Sequence, residues 1–117
     1  MTKSLLFLLA LSVPPAFAAD DVAGAWKLVG DIAGVHIDRV CTIKQAGNKI
    51  AGSCKNQTNE LALTGEVNGN NVTWNYDADY EGTKVTLVFK GTMEAGASIK
   101  GKIEASGASG DFTAKKQ

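Results

Sequence analysis

The sequence predicts an all-β protein: an eight-stranded antiparallel up-and-down β-barrel with one hairpin disulfide. Three observations support this prediction. Alternation of apolar and polar residues with period two recurs in eight segments, and no segment after residue 19 keeps a helical period. Glycine-containing turns separate the segments, and the only two cysteines, Cys41 and Cys54, flank one of these turns.

The hairpin that contains both cysteines fixes a register. Gly47-Asn48 suits a two-residue turn that needs positive φ. With that turn, Ile43 lies opposite Gly52, and Cys41 lies opposite Cys54 in a non-hydrogen-bonded pair, where Cα atoms are about 4.5 Å apart. The sequence therefore predicts an intramolecular disulfide between Cys41 and Cys54.

Each predicted strand turns alternate apolar residues or glycines to one face. The first strand places Trp26 and Leu28 inward, and Gly30–Gly34 is the expected connection to the second. The Gly69-Asn70 turn sets Gly65 opposite Trp74, where the missing side chain leaves room for the indole. The expected strands are Val22–Val29, Val35–Gln45, Lys49–Lys55, Leu61–Val67, Val72–Tyr76, Lys84–Met93, a seventh strand through Ile99, Gly101 and Ile103, and Asp111–Lys116.

The last two strands follow the same pattern. Strands six and seven share an inward face only if Ala95-Gly96-Ala97 is a three-residue loop with Gly96 or Ala97 in the left-handed region. Phe112 and Ala114 are the inward residues of strand eight. Eight sequential strands with short turns favour a meander that closes strand one on strand eight and removes both edges. An immunoglobulin-like sandwich is the alternative, and it requires longer crossovers.

The first 18 residues predict a signal peptide. Lys3 precedes an apolar run, Leu5–Val13, and Ala16-Phe17-Ala18 fits the small-x-small cleavage pattern. The run is too short to span a bilayer, which takes about 20 residues. We therefore expect a single barrel domain over residues 19–117, exported to the periplasm or secreted, where a disulfide persists.

Charge limits the possible partners. Without Lys3, 11 basic residues face 12 acidic ones, so the mature chain carries about −1 with His36 neutral. Nucleic acid and anionic membrane surfaces select a basic surplus, so neither is an expected partner.

Residues of the first strand resemble those of two protein families. Gly24-Ala25-Trp26 resembles the G-x-W signature of the calycin barrels, the lipocalin and avidin group. The segment Gly24–Gly30, together with Cys41-Thr42-Ile43, Ala51-Gly52 and Cys54, resembles the exported bacterial inhibitors of secreted zinc metalloproteases. That resemblance implies an eight-stranded barrel with one disulfide, whose N-terminal trunk enters the protease cleft; here Ala19–Ala23 occupies the trunk position.

The inward aromatic residues and one inward arginine are the candidate ligand-binding residues: Trp26, Arg39, Trp74, Tyr76 and Phe89. The same aromatic side chains, with Phe112, also suit a packed core, and the sequence leaves both readings open. Arg39 alternates with Ile37 and Cys41, so it needs a partner inside the barrel. It either stacks on Trp26, pairs with an acid at a barrel mouth, or binds a ligand carboxylate. We expect the Trp26 stack, because Lys116 is a poorer stacking residue.

No catalytic group, metal site or cofactor is expected. His36 falls on the outward face without a nearby nucleophile. Asp77–Gly82 resembles the start of a calcium loop, but Val88 stands where the bidentate glutamate belongs, so an acidic solvated hairpin loop is the expectation.

These residues favour a non-catalytic exported binding barrel that holds a small apolar or amphipathic ligand, or no ligand at all. A proteinaceous inhibitor of a secreted protease is the alternative. A ligand binder should contain an internal cavity of a few hundred cubic ångströms. An inhibitor should have a filled barrel and an exposed apolar patch at one end.

Overall fold

The computed structural model describes residues 21–117, which form a closed antiparallel barrel. Each strand pairs with the next along the chain, and the last pairs with the first, which confirms the predicted meander. The strands are β1 (Gly24–Ile32), β2 (Val35–Ala46), β3 (Lys49–Lys55), β4 (Glu60–Asn68), β5 (Asn71–Tyr80), β6 (Thr83–Glu94), β7 (Ser98–Ala105) and β8 (Ala108–Lys116). The predicted signal peptide lies outside the described residues. In residues 21–117, no helix qualifies as a membrane span.

The turn-based registers are confirmed. Cys41 lies opposite Cys54, and the two form the disulfide. Trp74 lies opposite Gly65. At Gly47-Asn48 and Gly69-Asn70 only the glycine has positive φ, 63° and 60°, as a type II′ turn requires.

The β6–β7 connection is also as expected in length. Met93 pairs with Ile99 across the three-residue loop Ala95–Ala97. Gly96 has a φ of 69°, and Ala95, which the sequence pattern did not single out, has a φ of 55°.

The expected connection Gly30–Gly34 is wrong, because β1 continues to Ile32. Asp31 lies opposite His36 and Ile32 opposite Val35. The two strands therefore stay paired up to a two-residue turn at Ala33-Gly34. Both turn residues have positive φ, 51° and 80°. Alanine rarely adopts that conformation, so the dipeptide gives a weak turn signal.

The expected acidic loop over Asp77–Gly82 is wrong for the same reason. β5 continues to Tyr80, and Glu81-Gly82 forms the turn, with φ of 50° and 84°. Asp77 faces outward, where its Oδ1 accepts a 2.6 Å hydrogen bond from the Thr86 hydroxyl. The acidic residues therefore form the solvated face of a long hairpin.

Gly65 shows how closely the strands approach inside the barrel. A Cβ added there would overlap the carbonyl oxygen of Thr73 and lie 2.7 Å from the Cα of Trp74. Only glycine fits this close approach of backbone to backbone.

Aromatic side chains fill the centre of the barrel. Trp74 stacks on Phe89 with ring centroids 5.3 Å apart and an interplanar angle of 11°. Phe112 packs edge-on against both rings, again with centroids 5.3 Å apart. Such pairs add to the stabilisation from apolar burial. The centre of the barrel is therefore packed core.

Trp26 closes the end of the barrel near the N-terminal segment. Its indole is buried, and Nε1 donates a 2.9 Å hydrogen bond to the carbonyl oxygen of Val22. The Lys116 ammonium lies 5.7 Å from the centroid of the Trp26 ring. This end, the closed end, contains the β2–β3, β4–β5 and β6–β7 turns.

Candidate functional site: a cavity at the open mouth

The opposite end of the barrel, the mouth, contains a cavity of ≈ 570 Å³. The β1–β2, β5–β6 and β7–β8 turns surround it. Its volume is within the range of about 300–1,000 Å³ that is usual for small-molecule sites. The barrel is therefore packed at one end and hollow at the other.

The mouth is wide because the neighbouring strands separate there. β5 and β6 stay paired to their tips, where Tyr80 lies opposite Thr83. Within residues 21–117, β4 pairs with β5 no further toward the mouth than Thr64 with Asn75, and β6 with β7 no further than Val88 with Glu104. The outer β5–β6 hairpin thus forms a free-standing wall of the cavity.

The cavity wall is mainly apolar on its inner side. The apolar side chains that line it come from six strands and one turn: Ile32, Ala33, Val35, Ile37, Ala78, Val85, Leu87, Ala105 and Ala108. Tyr80 lies at the rim with 51% of its surface exposed. An apolar molecule would replace water against these side chains, which is favourable in proportion to the area covered.

Tyr76 forms part of the cavity floor. It is 3% exposed, and its ring centroid lies 5.2 Å from that of Phe89, the next layer of the core. Burial raises the pKa of the Tyr76 phenol, and the positive charge of Arg39 partly opposes this effect. The phenol is therefore neutral at physiological pH.

Arg39 lies beside Tyr76, with its Cζ 5.7 Å from the centroid of the Tyr76 ring. Its Nη1 donates two long hydrogen bonds, each 3.4 Å, to the carbonyl oxygens of Cys54 and Asn59. The residue is half-buried, and no carboxylate of residues 21–117 lies within 4 Å of its guanidinium. It stacks as a cation on an aromatic ring without an acidic partner.

The expected stack of Arg39 on Trp26 is wrong, and Lys116 takes that position instead. The β1–β8 ladder sets Lys116 directly opposite Trp26. Arg39 lies opposite Leu28, one inward position nearer the mouth. Arg39 therefore reaches the ring of Tyr76 across the barrel.

A second cavity, of ≈ 460 Å³, lies on the outside of the barrel beside β1 and β2. Its lining comes from β1, β2, the end of β3 and the β3–β4 loop: Lys27, Asp38, Arg39, Val40, Lys55, Asn56, Gln57 and Thr58. β2 pairs with β3 only as far as Val40 with Lys55, so the two strands part at Arg39. Arg39 lines both cavities and lies between them.

Of the five candidate ligand-binding residues, Arg39 and Tyr76 line the mouth cavity. Trp26, Trp74 and Phe89 do not line it, because they lie in the packed core toward the closed end. The aliphatic residues of the mouth were not singled out from the sequence. They share the inward phase of Arg39 and Tyr76, which is the signal that could have identified them.

The remaining polar candidates are exposed, and His36, Asp79 and Glu81 border the mouth cavity. His36 is exposed, and its Nδ1 is 3.0 Å from Oδ1 of Asp31. Over residues 21–117, no three His, Cys, Asp or Glu side chains gather as metal ligands would.

The fold is similar to that of two solved β-barrels. A redesigned β-barrel, b11L5F_LGL, superposes with a TM-score of 0.61 at 11% identity, covering 82% of this chain and 91% of that one. The structure of EF1p2_mFAP2b bound to DFHBI gives a TM-score of 0.56 at 13% identity, covering 82% and 94%. At these identities the similarity concerns the fold alone.

No family model matches the chain, and no curated protein matches it. The resemblance to protease inhibitors therefore stays a prediction.

Proposed function

We propose that this protein is a non-catalytic binding barrel that holds a small apolar or amphipathic molecule in the mouth cavity. The observation that carries the proposal is the division of the barrel interior. The aromatic layer of Trp74, Phe89 and Phe112 supplies a packed core, and the cavity above it is not needed to complete that core.

The chemistry of the lining supports the same function. The wall is largely aliphatic. Arg39 meets Tyr76 at the floor, and other polar lining residues, among them Asp79, Glu81 and Thr83, lie at the exposed rim. An apolar pocket with a few convergent polar groups is the usual form of a small-molecule site. The similar barrel EF1p2_mFAP2b, recorded bound to DFHBI, supports a binding role for this architecture.

Export is part of the proposal. The Cys41–Cys54 disulfide fits an oxidising compartment, which is where the predicted signal peptide would deliver the protein. Native mass spectrometry of protein purified from the exported fraction of its host would test both parts together, because it reports the processed mass and any retained molecule.

The direct test uses N-phenyl-1-naphthylamine, a neutral apolar fluorophore whose emission rises in apolar surroundings. Titration should give a saturable increase with one site per chain. Val85→Trp should block this site, since Val85 faces the cavity. Lys84→Trp is the matched control, because Lys84 is the adjacent, exposed residue on the outer face.

Two results would reject the proposal. One is an absence of saturable binding by the wild-type protein to this probe and to decanoate alike. The other is equal binding by the Val85→Trp and Lys84→Trp variants, which would place the probe elsewhere on the surface.

A further inference from the structure

We propose that the mouth cavity selects an amphipathic anion, with a carboxylate-sized head group at Arg39 and an apolar tail along the wall toward the rim. This inference rests on the proposed function and adds the chemical class of the ligand.

Arg39 is half-buried and has no acidic partner among residues 21–117, whereas several lysines of the outer face have one. Lys27 is 2.5 Å from Asp38, Lys49 is 2.9 Å from Glu66, and Lys102 is 2.6 Å from Asp111. These pairs lie on the exposed outer face, where solvent screens charge and pairing contributes little. Within residues 21–117, the guanidinium of Arg39 stacks on Tyr76 and donates two hydrogen bonds, each 3.4 Å long, to carbonyl oxygens, but it meets no carboxylate. A partly desolvated charge without a counter-ion is a place where an anion gains binding energy.

Three carboxylates on the strands around Arg39 already have partners within the protein. Asp38, adjacent in sequence, faces outward and pairs with Lys27. Glu60 accepts a 2.6 Å hydrogen bond from the Ser53 hydroxyl. Asp31 pairs with His36. A ligand anion at Arg39 would therefore meet little competition from these three acids, and the other acids of the cavity lining, Asp79 and Glu81, lie at the rim by the β5–β6 turn.

The position of Arg39 gives the orientation of the ligand. Arg39 and Tyr76 lie at the floor of the mouth cavity, while Val35, Val85 and Ala78 line its wall nearer the turns. A head group at Arg39 places the tail against those aliphatic side chains. The reverse orientation would place the negative head group at the rim, where Asp79 and Glu81 lie, and leave the guanidinium facing the tail.

Two further features allow an anion at the floor. The Tyr76 phenol stays neutral, because burial raises its pKa, so it does not repel the head group. Arg39 also borders the outer cavity through the gap between β2 and the β3–β4 loop, so water can reach the head group from that side. A planar guanidinium with several donors suits a carboxylate in that position.

The test compares three ligands with the same ten-carbon tail: decanoate, 1-decanol and decyltrimethylammonium. Each is used at pH 7 to displace N-phenyl-1-naphthylamine from the wild-type protein. We expect decanoate to bind about tenfold or more tightly than decanol, the ratio typical of a hydrogen-bonded charge pair, and the cation to bind most weakly. Equal displacement by decanoate and decanol would overturn the inference and leave the proposed function standing.

Two variants then test whether Arg39 causes the preference for decanoate over decanol. Arg39→Met keeps most of the side-chain volume and removes the charge, so decanoate and decanol compared within this variant should bind equally. Lys55→Met is the matched control, because Lys55 is an exposed basic residue of the outer cavity, and it should behave as wild type. If the decanoate preference survives in Arg39→Met, the head group binds elsewhere and the inference is wrong.

Two alternative experiments keep the inference testable if the first variant or the first probe fails. Should Arg39→Met fail to fold, Arg39→Lys serves, since it keeps a charge but not the planar fork and should retain only part of the preference. Should the fluorophore not bind, titration calorimetry with decanoate and decanol replaces displacement. Binding of neither ligand would reject the proposed function, whereas equal binding of both would reject only the inference.

Discussion

The two buried tryptophans differ in one respect that predicts unequal costs for the same substitution. Each indole is 1% exposed. Nε1 of Trp26 donates a 2.9 Å hydrogen bond to the carbonyl of Val22, which is itself fully buried. Within the described residues, Nε1 of Trp74 has no hydrogen-bond partner. Replacing each by Phe removes the same atoms and compares a satisfied donor with an unsatisfied one.

The expected difference can be worked from the contacts. Both variants lose the same apolar volume, so the transfer and cavity costs largely cancel. Trp26→Phe also leaves the buried carbonyl of Val22 without this donor, which costs about 1–3 kcal/mol. Trp74→Phe removes a donor that is already unsatisfied and recovers a cost of similar size. Trp26→Phe should therefore be about 2–6 kcal/mol less stable than Trp74→Phe.

Urea unfolding followed by far-ultraviolet circular dichroism measures this difference without relying on tryptophan emission. In thermal unfolding the gap should exceed roughly 10 °C, since 1 kcal/mol shifts the melting temperature of a domain of this size by about 4–8 °C. A difference below about 1 kcal/mol would refute the reasoning, because it would show that the indole of Trp74 has a partner, such as a buried water.

Three further predictions follow from the fold. Replacing Cys41 and Cys54 together by Ala should lower the free energy of unfolding by about 3 kcal/mol, and two reactive thiols in the native exported protein would contradict the disulfide. Gly65→Ala should cost about 1–3 kcal/mol, because its methyl group would overlap the backbone of Thr73, and an unchanged urea midpoint would contradict this. The pKa of Tyr76 is higher in the folded than in the unfolded chain, so its stabilising contribution is complete below pH 10 and declines as pH rises further. Tyr76→Phe should therefore lose stability less steeply than wild type above pH 10, and parallel profiles would contradict the shift.

The registers could be predicted from sequence because a known turn position, combined with the two-residue period of a strand, allows only one strand pairing. Once Gly47-Asn48 is the turn, Cys41 must face Cys54, and once Gly69-Asn70 is the turn, Gly65 must face Trp74. A slip by one residue would turn every apolar side chain outward. The sequence is therefore most informative where strong turn residues occur.

The strand ends at the mouth could not be predicted in the same way. Ala33 and Glu81 adopt positive φ, although neither residue type favours it. Asp77 and Asp79 resembled a loop because polar residues cluster there, but they are the outward half of an alternation that includes Ala78 and Tyr80. The polar composition of this segment suggested a loop, whereas its period of two correctly indicated a strand.

The candidate site was predicted only in part for a geometric reason. Periodicity shows that Arg39 faces inward, but not which ring lies across the barrel from it. That choice depends on strand tilt and stagger, which set the height of each inward residue. The cavity itself forms because the strands separate beyond Thr64 and Val88. The alternation of apolar and polar residues does not indicate where paired strands separate.

The free-standing outer part of the β5–β6 hairpin has a kinetic consequence. Among the described residues, the hairpin beyond Asn75 and Val88 has no ladder to either neighbouring strand, so its amides should exchange through local opening at a lower free energy than global unfolding. Hairpin opening would let a ligand enter and leave while the aromatic layer and the disulfide stay intact. Residence time and global stability would then be set by different parts of one barrel, and each could change without the other.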